Sequence, residues 1–134
     1  VASRVVKFVV ASAACILIVE DDYDTRTAMA AVLGDAGYDV LEAADGGTAL
    51  KLCASASPKL VLLDLILPDM PGLALLAQMR ARPGGDHLMV LAVSGFDQGT
   101  GALGASAARI DGYLRKPFGA ARLLDTVGAA LSKS

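Results

Sequence analysis

The sequence predicts an α/β fold, a doubly wound sheet of five parallel strands with helices on both faces, and three observations predict it. Apolar runs such as CILIV (15–19), LVLL (60–63) and LMVLAV (88–93) are too short for helices and lack polar alternation, as strands buried on both faces require. Between them lie longer segments whose apolar residues recur every three to four positions, the helical period. Hydrophobic residues make up 54% of the 134 but aromatics only 4%, so the core has to be built from Val, Leu, Ile and Ala.

CILIV forms the first strand. Asp24 or Thr25 is placed to cap a helix in which Met29, Val32 and Leu33 face inward, ending near Gly37. DVLEA (39–43) is short and alternating, a second strand. Residues 47–54 carry Leu50 and Cys53 on one face and form a helix that stops before Pro58. After the third strand (60–63), residues 72–82 place Leu73, Leu76 and Met79 inward and stop at Pro83-Gly84-Gly85. The fourth strand (88–93) leads to a helix over 97–109, then GYLR (112–115) as the fifth strand. A last helix over 120–131 has Leu123, Leu124, Val127 and Leu131 at helical spacing. The 97–109 segment carries Gly99, Gly101 and Gly104, each costing a helix roughly 0.8–1 kcal/mol relative to alanine. That helix is expected to be short, irregular or mobile.

Composition removes several functions. A net charge of −2 and a pI near 5.2 give no electrostatic footprint for nucleic acid. Cys15 and Cys53 have no metal-type spacing and read as reduced thiols of a cytoplasmic protein. Arg4, Lys7 and FVVASAACILIV imitate a short secretory leader, but the apolar stretch falls short of the roughly 20 residues of a membrane span. The preferred reading is an extension or linker over 1–14, with Val5, Val6, Val9 and Val10 at helical spacing, and one domain over 15–134.

In open parallel sheets the functional crevice lies beyond the carboxyl ends of the strands. Polar residues stand there as the apolar runs stop: Glu20-Asp21-Asp22 after the first strand, Asp64 after the third, Ser94-Gly95 after the fourth and Lys116-Pro117 after the fifth. Singly these have ordinary explanations: an acidic helix cap, a turn serine, a solvated lysine. Asp64, set inside KLVLLDLILPDMPG, is the hardest to explain by structure, since a buried carboxylate needs a partner. Clustered carboxylates repel one another and call for a cation, and hard oxygen donors favour Mg²⁺. A carboxylate beside Mg²⁺, the Lys116 ammonium and the Ser94 hydroxyl is a set suited to forming an acyl phosphate. His87, in the loop after Pro83, reads as a solvated residue.

The strings LIVEDD, VLLDLILPDMPG, VLAVSG and GYLRKPF resemble, in order and spacing, the motifs of the receiver domain of two-component response regulators. The likeness is chemotaxis-receiver-like and runs from Ile16 to about Leu131. It implies a flavodoxin-like strand order 2-1-3-4-5. It also implies that Asp64 is the phosphoacceptor, that Glu20 and Asp21 are the acidic pair holding Mg²⁺, and that Ile66 adds its backbone carbonyl. By the same resemblance Ser94 is the switch hydroxyl, Tyr113 the switch aromatic, and Gly95 the small residue that leaves the phosphoryl donor room. Lys116 is the phosphate-facing lysine, with a cis bond to Pro117. The implied partners are a histidine kinase or histidine phosphotransfer protein and a downstream output domain or protein. The surface of the 97–109 helix, fifth strand and last helix is the expected output face. A signalling phosphoacceptor is implied, catalysing only its own phosphorylation and dephosphorylation, without nucleic-acid binding or membrane insertion.

Two rivals fit less well. A haloacid-dehalogenase-like phosphatase wants a second Asp where Ile66 stands, and a flavin binder wants a Gly/Ser/Thr-rich phosphate loop where Glu20-Asp21-Asp22 stand. An interaction module of the same family without phosphorylation would lack Asp64 or Lys116. One departure remains: Arg109 occupies a position where the family usually has a small residue, and it is strained if the backbone there needs positive φ.

Overall fold

The computed structural model describes residues 14–95 and 109–133. Strands β1 (Cys15–Val19), β2 (Asp39–Ala43), β3 (Leu60–Asp64), β4 (Met89–Ser94) and β5 (Gly112–Arg115) form one sheet in the order β2-β1-β3-β4-β5. Every pairing is parallel. Helices α1 (Tyr23–Asp35), α2 (Gly46–Ala56), α3 (Gly72–Arg80) and α4 (Ala120–Ser132) complete the described architecture, with a single 3₁₀ turn at Gly85–His87. The expectations for 1–13, and for the glycine-rich helix apart from Arg109, lie outside the described residues.

The pleat of the central strands divides the core. Ile16, Ile18, Leu60 and Leu62 point to one face, where Met29 and Leu33 of α1 and Leu123 and Val127 of α4 cover them. Leu17, Val19, Val61 and Leu63 point to the other, under Ala49 and Cys53 of α2 and Leu75, Leu76 and Met79 of α3. Both faces are buried, which is why β1 is apolar throughout and β3 is apolar up to Asp64. Each Leu or Ile removed from water here contributes roughly 1.5–3 kcal/mol.

Several boundaries differ from the sequence expectation. The cap of α1 is Asp22, not Asp24 or Thr25: its carboxylate accepts from the Thr25 amide at 2.9 Å and the Thr25 hydroxyl at 2.6 Å. α2 runs over Gly46–Ala56 because nothing breaks it before Ser57, whose left-handed φ of 48° ends it. α3 stops at Arg80 rather than 82, and the chain then doubles back so closely that a Cβ on Gly85 would lie 2.4 Å from the Met79 carbonyl. Within α3, Leu75 is buried where Leu73 was expected; Leu73 is half-buried. β4 is shifted by one residue and includes Ser94.

Candidate functional site

The register builds the site. Val19 lies opposite Leu63, so Glu20 and Asp64 leave the sheet side by side, at the switch point where β2 falls to one side of β1 and β3 to the other. Asp64 itself pairs with Val93, and Ser94 with Arg115, which brings the ends of β4 and β5 to the same edge. The Lys116 amide donates to the Ser94 carbonyl at 2.8 Å and locks that corner. The Lys116–Pro117 peptide is cis.

Two buried carboxylates are held alike. Glu20 Oε2 accepts from the Asp22 amide at 3.1 Å, and Asp64 Oδ1 accepts from the Ile66 amide at 2.9 Å, in each case two residues onward. The remaining oxygens face one ammonium: Lys116 Nζ stands 2.7 Å from Glu20 Oε1 and 3.4 Å from Asp64 Oδ2. Burial by itself pulls the Lys116 pKa down, but the contacts with Glu20 and Asp64 outweigh it and hold the ammonium above its ordinary range. Asp21 is exposed, and one ligand oxygen each from Glu20, Asp21 and Asp64 lies within 4.8 Å of the others. Among the described residues, three carboxylates gather around the Lys116 ammonium at this edge. Glu20 Oε1 is buried without an aligned hydrogen bond, so its charge is met by Lys116 but its lone pairs are not fully used.

Glu20, Asp21, Asp64 and Lys116 therefore stand together. Ser94 sits half-buried at the end of β4, and a Cβ on Gly95 would meet nothing within 4 Å. Tyr113 is partly exposed on β5, and the Ile66 side chain points to solvent. Gly72 is required by a close approach: a Cβ there would lie 2.5 Å from Leu65 Cα and 2.8 Å from the Asp64 carbonyl. His87 is exposed on the 3₁₀ turn and belongs to the opposite end of the strands.

Two site-supporting residues were not legible in the sequence. Arg26 on α1 donates to the Glu20 carbonyl at 2.9 Å and pairs with Glu42 at 3.1 Å, fixing the backbone that carries the acidic pair. Asp69, in the loop after β3, accepts from the amides of Gly46 and Gly47 at 2.9 and 3.0 Å. Those bonds, with Gly46 first, hold its carboxyl below the usual range. Neither contact has a local sequence signal, because each joins segments 6 to 23 residues apart.

The comparisons with known proteins agree with this geometry. The model of the response regulator receiver domain family matches residues 16–128. The chain belongs to the response regulator receiver domain family. Among relatives, the response regulator MprA of Mycolicibacterium vanbaalenii is 36% identical over 119 residues, 89% of this chain and 51% of that protein. The chain thus spans about half the length of the curated relatives it matches. Among solved structures, the chemotaxis response regulator CheY4 of Vibrio cholerae superposes with a TM-score of 0.84 at 28% identity, covering 89% of this chain and 99% of that one. A CheY-like receiver domain protein of Methanospirillum hungatei gives 0.82 at 31% identity, covering 91% and 96%. Receiver domains are signalling modules of two-component systems rather than enzymes in the ordinary sense. Among the described residues, no helix of this receiver is long and apolar enough to cross a membrane.

Proposed function

We propose that this receiver accepts a phosphoryl group on Asp64 from a phosphohistidine of a histidine kinase or histidine phosphotransfer protein. The observation that carries the reading is the division of labour on Asp64: Oδ1 is held by the Ile66 amide, while Oδ2 faces Lys116. Oδ2 is the oxygen placed to attack. It forms the new O–P bond as the P–N bond to the donor imidazole breaks, and the imidazole leaves with the bonding pair and takes up a proton. Lys116 stabilises the charge on the transferred group, each charge-assisted hydrogen bond being worth roughly 1.5–3 kcal/mol.

The donor set fits Mg²⁺. All candidate ligands are hard oxygens, three carboxylates converge within 4.8 Å among the described residues, and Glu20 Oε1 is an under-used buried acceptor. Glu20, Asp21, Asp64 and the Ile66 carbonyl would hold the ion. When bound, Mg²⁺ neutralises phosphoryl oxygens and carboxylate repulsion. Gly95 leaves the approach open, and an apolar groove of about 450 Å³ between α1 and α4, lined by Met29, Val32, Phe118 and Leu123, opens beside Lys116 for the donor protein.

Ser94 donates to the acquired phosphoryl group and Tyr113 follows it inward, shifting a pre-existing equilibrium of the β5–α4 surface toward the form read by an output domain or protein. The test uses beryllium fluoride with Mg²⁺ as a phosphoryl mimic. Amide NMR shifts at Ser94 and Tyr113 are expected in wild type and not in Asp64→Asn. Equal shifts in both proteins, or none in wild type, would leave this a binding module that does not use Asp64.

A further inference from the structure

The first three amides of α2 have no partners within the helix, as at any helix start. Asp45, the local cap, takes the Thr48 amide at 2.7 Å. The other two go to a residue more than twenty positions away: the Gly46 amide donates to Asp69 Oδ1 and the Gly47 amide to Asp69 Oδ2. A helix end at the surface can leave such amides to water, so a long-range carboxylate is not needed for capping. What the contact fixes is the other partner, the loop between β3 and α3.

That loop is short and closed. The Gly72 amide returns to the Leu65 carbonyl at 2.9 Å, and Ile66 bridges Pro71 across it. Met70, next to Asp69, packs on the same helix start: a Cβ on Gly46 would lie 2.7 Å from its sulfur. Gln78 of α3 reaches that sulfur from the other side at 3.7 Å. So the loop tip is seated on α2 by two adjacent side chains, while the loop base presents the Ile66 amide to Asp64 Oδ1. Rotation of the base would release Oδ1 and turn Oδ2 away from Lys116.

We infer that Asp69 is a positioning residue: by clamping the loop after β3 onto the first turn of α2, it holds the Ile66 amide on Asp64 and sets the aim of the attacking oxygen. This rests on the reading of Asp64 as phosphoacceptor. Asp69 touches no reacting atom and acts through the loop.

The test compares Asp69→Ala, Asp69→Asn and Asp45→Ala with wild type. The last removes a cap from the same helix without touching the loop. Three quantities are read: the rate of phosphorylation by acetyl phosphate with Mg²⁺, hydrogen exchange of the Ile66 amide without metal, and thermal stability. Asp69→Ala is expected to slow phosphorylation about tenfold, the scale of losing an outer hydrogen bond around a metal site, and to speed Ile66 exchange. Asp69→Asn, which keeps one acceptor oxygen, falls between. Asp45→Ala lowers thermal stability with the other two readouts near wild type. Wild-type phosphorylation and Ile66 exchange in Asp69→Ala would overturn the inference. So would an Asp45→Ala variant that reproduced both defects, since helix capping would then be the whole effect. A wild type that takes no phosphoryl group defeats the phosphoacceptor reading instead, and the exchange comparison alone then decides the clamp.

Discussion

The two ends of the sheet handle charge in opposite ways. At the carboxyl end, among the described residues, Glu20 and Asp64 share the Lys116 ammonium with Asp21 beside them, and a buried carboxylate oxygen lacks an aligned hydrogen bond. At the amino end, Arg80 and Arg109 face Asp86 and Asp111, two cations for two anions. Arg80 donates to the carbonyls of Gly85, Leu88 and Arg109 and to Asp111, which also takes the Val90 amide at 2.8 Å. The contrast is one of charge, since Arg80 Nε is itself buried without an acceptor. A balanced cluster closes the fold around it. A carboxylate-rich one leaves oxygens open to a cation.

That comparison breaks most visibly at Arg80. Arg80→Ala removes the buried cation of a half-exposed ion pair and strands several carbonyls, so urea denaturation should show a loss of about 2–3 kcal/mol. The folded variant should still phosphorylate at close to the wild-type rate. A variant as stable as wild type would mean that the amino-end cluster does not hold the fold. Mg²⁺ probes the other end. At one hundred times its Kd it should raise wild-type stability by about 2.7 kcal/mol, and Glu20→Gln should gain much less at the same concentration. Equal gains would place the ion elsewhere.

Smaller effects sharpen the picture. Arg109 has a φ of 58°, the left-handed region its sequence position hinted at. Its carbonyl accepts from Arg80, which a glycine would preserve, and its side chain makes an exposed pair with Asp86 at 2.6 Å. Arg109→Gly should therefore stabilise by about 0.5–1 kcal/mol, strain relief less a weak surface pair; a net loss would show that the pair outweighs the strain. The smallest effect is Asp69 against pH. Its carboxyl is depressed by the Gly46 and Gly47 amides, so its contribution is present above the ordinary carboxylate range and fades as pH falls through the folded value. The stability gap between wild type and Asp69→Asn should close below about pH 4. A gap that persisted in acid would sever the link to ionisation.

Much of this was legible from residues in order along the chain. An apolar run marks a doubly buried strand, and the polar residue that ends it marks the sheet edge, so Glu20, Asp64, Ser94 and Lys116 could be placed without coordinates. The α1 cap was missed because Asp22, Asp24 and Thr25 crowd one turn, and only geometry shows which oxygen reaches an amide. The end of α3 falls two residues before the expected one because Pro83 has no N–H for the Met79 carbonyl, and the chain already turns there toward the close approach at Gly85. Arg26, Asp69 and Arg80 were invisible for a common reason: each acts through a backbone group of another segment, and backbone groups carry no sequence signature.

The most direct measurement is the intact mass of the protein after incubation with acetyl phosphate and Mg²⁺. Wild type should gain the mass of one phosphoryl group, lost again on standing as water hydrolyses the acyl phosphate, while Asp64→Asn gains none. Equal labelling of the two proteins would contradict the assignment of Asp64 as the acceptor.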